Sequence, residues 1–251
     1  MVHGYRTLQH WQLWLAHHFL GGSLLEAEQQ LLSRLLSNHF GKHAVLLGVP
    51  QQYALLKENH LPCHALLTPL IHQEKNSNYI EGDFHDLPIL TGSMDLVLLP
   101  HTLEFIEHPR QLLSEACRII KPEGLIIICG FNPYSLWGRK AVWAKHKIVP
   151  SAEHFFHVGQ IKRWLQLADF ALEEQKFLMF RPPLTHPGMY QKLHFLETIG
   201  PTIFPFLGGV YVLLARAKVI PLTPIRLKWK QQLSGIRISS TISGHIARQS
   251  K

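Results

Sequence analysis

The stretch from Asn78 to Phe131, NYIEGDFHDLPILTGSMDLVLLPHTLEFIEHPRQLLSEACRIIKPEGLIIICGF, most narrows what this chain can fold into. Two apolar runs of strand length, Met94–Leu99 and Leu125–Cys129, flank a segment from Pro109 to Ile120 whose apolar residues recur at helical spacing. Pro109 suits a first helical turn, where its missing N–H is not needed, and Pro122 with Gly124 is expected to stop the helix and turn the chain. Leu112, Leu113, Ala116, Ile119 and Ile120 form one stripe, while Glu115 and Arg118 fall elsewhere on the helix surface. A strand, a helix and a second parallel strand need both sheet faces covered, so the unit belongs to a larger α/β layer structure.

The 251 residues, 46% of them hydrophobic, suit one α/β domain with decorations. No apolar run approaches the roughly 20 residues that span a bilayer, and the first residues make a poor signal peptide, so the expectation is a cytoplasmic protein with no transmembrane segment. Cys63, Cys117 and Cys129 have no metal-ligand spacing and read as reduced, mostly buried thiols. His154-Phe155-Phe156-His157 lacks a third and fourth ligand at suitable spacing, so no metal is expected. The net charge of +8 is concentrated at one end: from Arg216 onward there are eight basic residues and no acidic one, leaving seventeen of each sign before it.

Along the chain, His10–Leu20 reads as an amphipathic helix broken by Gly21-Gly22, and Ser23-Leu24-Leu25-Glu26 as a capping box that opens a second helix. These helices, within residues 1–39, pack either over the carboxyl ends of the strands or against the sheet edge. A main domain is expected over 40–218, with strands at His43–Gly48, His64–Leu67, Tyr79–Glu81, Met94–Leu99, Leu125–Cys129, Leu172–Phe180 and Gly209–Ala215, and helices over Pro109–Ile120 and Gly159–Ala168. Trp137–Val149, with Arg139, Lys140, Lys145 and Lys147, is either a basic lid or a solvated helix face. Residues 181–205, with five prolines, read as an insertion able to cap a cleft. The composition of 219–251 favours disorder, and the charges of 216–251 could attract nucleic acid or an anionic membrane, or merely solubilise.

Four fragments in one order carry a family likeness: Gly82-Asp83-Phe84-His85-Asp86-Leu87-Pro88, Ser93-Met94-Asp95-Leu96-Val97-Leu98, Leu103-Glu104-Phe105-Ile106, and Ile120-Lys121-Pro122-Glu123-Gly124-Leu125-Ile126-Ile127. Together they resemble a class I S-adenosylmethionine-dependent methyltransferase of the type 11 branch. Gly130-Phe131-Asn132-Pro133-Tyr134 and the stretch Ala215–Thr223 resemble a narrower bacterial branch of methyltransferase-like proteins. The likeness implies a Rossmann-like α/β fold: a mostly parallel seven-stranded sheet with an antiparallel C-terminal strand and helices on both faces.

The resemblance also implies roles. Gly48 lies where bare backbone approaches the cofactor's amino-acid end; Asp83 and the N–H of Phe84 face adenine, although Asp83 and Asp86 also suit turn-making; Leu99 and Pro100 present backbone to the cofactor's amino group. The family's glycine-rich turn is reduced here to Gly48-Val49-Pro50-Gln51-Gln52-Tyr53, and Thr68-Pro69 stands where a carboxylate for the ribose is expected. His101 is the candidate proton acceptor, with Glu104 beside it, and Tyr134 a second acceptor-side contact. The expected activity is methyl transfer from S-adenosylmethionine to a small-molecule acceptor. The alternative is a catalytically inactive, methyltransferase-shaped binding or regulatory protein whose basic tail engages nucleic acid or another anionic partner.

Overall fold

The computed structural model describes residues 5–37, 39, 41–57, 62–70, 78–143, 152, 154–184 and 186–219. These lie in one compact unit, Met1–Val219. The readings for Lys145, Lys147 and the tail from Ile220 onward fall outside the described residues.

Seven strands form one sheet in the order β3-β2-β1-β4-β5-β7-β6. They are β1 (His43–Leu47), β2 (Cys63–Thr68), β3 (Tyr79–Glu81), β4 (Met94–Pro100), β5 (Ile120–Phe131), β6 (Phe170–Leu178) and β7 (Val210–Ala217). β1 to β5 run parallel, and β7 pairs antiparallel with both β5 and β6. Because side chains alternate along a strand, each central strand feeds two cores. Val97 and Leu99 of β4 join one apolar cluster, and Leu96 and Leu98 join the other.

The helices are α1 (Arg6–His17), α2 (Phe19–Leu36), α3 (Ala54–Lys57), α4 (Pro109–Ile119), α5 (Leu136–Trp143), α6 (Val158–Leu167), α7 (Pro187–Lys192) and α8 (Phe195–Ile203). α4 buries Leu112, Leu113, Ala116 and Ile119, the stripe expected from the sequence. Its Glu115 and Arg118 do not merely face solvent. The Arg118 guanidinium donates to the carbonyls of Leu87 and Ile89 and pairs with Glu115, whose other contact is the Leu87 N–H. Together with Gln111, which donates to the His85 carbonyl, they clamp the loop that carries Asp83.

Two local expectations are corrected. The break between the first two helices is at His18, whose ring accepts from the Leu20 N–H, so Gly21, Gly22 and Ser23 all lie inside α2 and the capping box does not form. A Cβ on Gly21 would stand 2.9 Å from Leu15 Cα, so the glycine is what lets α2 cross α1 closely. Gly21→Val is expected to lower stability by about 1–3 kcal/mol through this overpacking, measured by urea unfolding. The turn Lys121–Gly124 is absorbed into β5 as an irregularity, with Ile120 paired to Met94 and Glu123 at φ 65°. The proline-rich segment carries two helices: Pro187 opens α7 and Pro201 lies inside α8. Of the thiols, Cys129 is buried and Cys63 is exposed. Arg216 is not part of a free basic tail, since its guanidinium pairs with Glu173 across β6 and β7 and donates to the Glu123 carbonyl.

Candidate functional site

Ligands of open parallel sheets bind beyond the carboxyl ends of the strands. Here that ground lies beneath α1. Tyr5, at the start of α1, reaches the loop after β3; Trp11 packs on residues that follow β4 and on Phe131 at the end of β5. The N-terminal helices therefore take the first of the two placements considered from sequence, over the strand ends.

At the end of β3, the Asp83 carboxylate accepts from the Tyr5 hydroxyl at 2.6 Å and from the His85 N–H at 2.9 Å. The Phe84 N–H donates to the same Tyr5 oxygen at 3.3 Å. Tyr5 is 3% exposed and Phe84 1%, with their rings edge to face at 5.9 Å. The Tyr5 hydrogen bond, outweighing burial, holds the Asp83 carboxyl at about 2. Burial and Asp83 push the Tyr5 phenol up.

At the end of β1, Gly48 donates to the Leu67 carbonyl, and the chain then turns through one 3₁₀ turn, Pro50–Tyr53. Gln52 is fully buried. Its Oε1 accepts from the Val49 N–H at 3.1 Å and its Nε2 donates to the Pro100 carbonyl at 2.7 Å, so one carboxamide bridges the ends of β1 and β4. A Cβ on Gly48 would stand 2.5 Å from Gln52 Oε1; the room left by the glycine is filled by the glutamine. Tyr53 turns away, into the apolar cluster on the opposite face, where it accepts from Asn78. Leu99 is buried, and Thr68 uses its hydroxyl on the Leu70 N–H.

Beyond β4, His101 adopts a left-handed backbone at φ 60°, unusual for a residue with a side chain. Its ring is fully buried, which corrects the expectation of a side chain open toward an acceptor. Nδ1 lies 2.8 Å from Glu104 Oε2, and Nε2 lies 2.9 Å from Glu28 Oε1 of α2. Ionised carboxylates only accept, so a ring between two of them is held as the doubly protonated cation. Burial pushes the His101 pKa down, but Glu28 and Glu104 outweigh it and raise it to about 9. Burial raises Glu104 as well, against the pull of His101 and of the Phe131 N–H that donates to it at 2.6 Å.

Tyr134 stands apart on the loop after β5, 69% exposed, its ring 6.4 Å from that of His157. The neighbouring Asn132 is committed to structure, donating to the carbonyls of Phe206 and Gly208. A separate cavity of about 530 Å³ opens between α2 and α7, lined among others by Phe19, Leu31, Arg34, Met179, Tyr190 and His194. Among the described residues no group of three or more His, Cys, Asp and Glu side chains could hold a metal ion, and no helix is long and apolar enough to cross a membrane. Sequence reading missed Tyr5, Glu28 and Gln52. The glutamine alone left a trace, a long polar side chain where the likeness calls for glycine.

The polar groups at the strand ends, a carboxylate and an N–H after β3, an N–H after β1 and a carbonyl at the end of β4, are all engaged by Tyr5 and Gln52.

Residues 63–128 match the family model described as a methyltransferase domain. The uncharacterized protein YafS of Escherichia coli K12 is 31% identical over 159 residues, 63% of this chain and 62% of its own length. Demethylmenaquinone methyltransferase of Clavibacter sepedonicus is 27% identical over 44% of this chain and 54% of its own. The chain thus spans less than two thirds of the length of these relatives. Among solved structures, a SAM-dependent methyltransferase of Thermotoga maritima aligns with a TM-score of 0.59 and 21% identity, covering 85% of this chain and 97% of that one. The [4+2]-cyclase SpnF aligns with a TM-score of 0.52 and 13% identity, covering 76% and 80%. At such identities the likeness is one of fold, and it is the Rossmann-like class I fold expected from the sequence.

Proposed function

We propose, from the match of residues 63–128 to a methyltransferase-domain model and from the class I methyltransferase fold that carries them, that this protein transfers a methyl group from S-adenosylmethionine to a small-molecule acceptor. The observation that carries the reading is the polarity of the strand ends. Asp83, the Phe84 N–H, the Val49 N–H and the Pro100 carbonyl converge there, each met by a polar side chain rather than sealed by an apolar one. When bound, the donor supplies a methyl group already activated on sulfur, so the protein's tasks are alignment and exclusion of water.

In this reading Asp83 and the Phe84 N–H hold the adenine, while Gly48, Leu99 and Pro100 frame the amino-acid end. His101, oriented through Nδ1 by Glu104, first passes its Nε2 proton to the Glu28 carboxylate and, with that nitrogen free, takes a proton from the acceptor there. Tyr134, exposed on the loop after β5, is a peripheral contact for the acceptor.

The test supplies methyl-labelled S-adenosylmethionine with a fractionated small-molecule extract. Transfer of label to a small molecule, lost in Asp83→Ala by about tenfold or more as a hydrogen bond to a charged group disappears, supports the reading. Absence of labelled product together with absence of donor binding would remove it. A second reading, a methyltransferase-shaped binding protein that holds no donor, is favoured by the burial of Gln52, which would then be a permanent filling of the pocket.

A further inference from the structure

We propose that Tyr5 and Gln52 act as built-in ligands of the donor pocket, so that the chain competes with its own cofactor and admits it only when the segment of Tyr5 and α1 lifts. This rests on reading the pocket as a donor site. A phenol hydroxyl donates one hydrogen bond and accepts another through the same oxygen. Adenine presents the same two functions side by side, an amino donor next to a ring-nitrogen acceptor. Tyr5 delivers both to the pair that would read the base, donating to Asp83 and accepting from the Phe84 N–H. The carboxamide of Gln52 does likewise at the other end. Its oxygen meets the Val49 N–H as a carboxylate would, and its nitrogen meets the Pro100 carbonyl as an ammonium would.

Two independent observations indicate that the cover is separable. First, closing it leaves the Trp11 Nε1 of α1 buried without a partner among the described residues. Such a group costs about 1–3 kcal/mol relative to water, which biases α1 toward release when a ligand competes. Second, among the described residues the hydrogen bonds of the Tyr5 hydroxyl are to the loop over Asp83–His85, which α4 clamps independently through Arg118 and Gln111. The pocket's reading groups therefore stay in place when Tyr5 leaves. Gln52 belongs to the 3₁₀ turn after β1 and is tethered there, so its withdrawal is a side-chain rotation rather than a segment movement. Tyr5 is the gate and Gln52 the plug behind it.

The experiment is calorimetric titration of S-adenosylhomocysteine into the full chain, Tyr5→Ala, Tyr5→Phe, Gln52→Ala and Tyr5→Ala with Gln52→Ala, with folding of each checked by circular dichroism. Tyr5→Phe keeps the ring and removes only the hydroxyl, which guards against loss of fold. The expected result is weak binding by the natural chain and binding tighter by about tenfold or more in the Tyr5 variants, tighter still in the double variant. Amide exchange in residues 6–17 is expected to quicken when the nucleoside binds the natural chain. Equal affinity in all chains would keep the donor-site reading and overturn the competition. No binding by any folded chain, the double variant included, would overturn the donor-site reading and the competition with it.

Discussion

Glu104→Ala is expected to lower the unfolding free energy by about 3–5 kcal/mol, seen as a lower urea midpoint at unchanged slope. The magnitude follows from what remains behind. Glu104 is 1% exposed and serves two groups, the His101 Nδ1 and the Phe131 N–H. Truncation strands a buried cation with a single carboxylate and leaves a buried N–H with nothing to accept it. Glu104→Gln keeps an oxygen for the Phe131 N–H but turns an amide donor toward His101, which the ring can meet only by giving up its Nδ1 proton, so about half that effect is expected.

The same cluster fixes a pH dependence. The His101 pKa is raised from its ordinary 6.5 to about 9 in the folded chain, which binds the proton more tightly than the unfolded one. Its contribution is therefore complete below pH 6.5 and is lost as pH rises through about 9. Glu104, also raised, works in the same direction at lower pH, since its deprotonation is easier in the unfolded chain. Cys129 and Tyr211, the neighbours buried beside it, are pushed up by burial and keep their protons in the folded chain; Cys129 ionises in the unfolded chain near the top of this window and adds to the fall there. Unfolding curves between pH 6 and 9.5 should show stability falling. In Glu104→Ala the fall should begin at lower pH, because one of the two carboxylates that hold the proton is gone. An unchanged pH profile, or a loss under about 1 kcal/mol, would mean that the buried Glu28–His101–Glu104 cluster does not form.

How much of this was legible in the sequence depends on range. All seven strands were readable, because runs such as Met94–Leu99 and Val210–Ala215 state their burial locally. Gly21-Gly22 misled because glycine permits a break but equally permits a close helix crossing, and only the neighbour, Leu15, decides between them. Pro187, counted only as one of five prolines of an insertion, begins α7. At the site, Asp83 and His101 were visible from a family pattern, whereas their partners were not. Tyr5 lies 78 residues from Asp83, and Glu28 lies 73 from His101. Nothing in a local window records such pairings. The low pKa of Asp83 has the same origin: its carboxyl lies at about 2 chiefly because of a phenol 78 residues away.

Trp11→Ala should remove about 3–5 kcal/mol, the range for truncating a buried tryptophan, with the cost concentrated in the cover over the strand ends. Trp11 is fully buried, its ring stacked on Phe105 at 4.6 Å and on Trp14 at 5.3 Å, edge-on to Phe131 at 5.9 Å and tilted over His101 at 5.2 Å. Phe105, Phe131 and His101 belong to the strand ends, so this one side chain fastens α1 to the sheet. Its indole nitrogen, however, has no partner among the described residues. Trp11→Phe discards that buried N–H while keeping most of the stacking, and the two changes oppose each other. A net effect within about 1 kcal/mol of zero is expected, against the large loss for alanine. Urea unfolding measures both, and amide exchange in α1 locates the loss. In Trp11→Ala the α1 amides should exchange far faster than those of β4 and β5. If instead alanine cost less than about 1 kcal/mol, α1 could not be docked on the strand ends, and Tyr5 would have no fixed approach to Asp83.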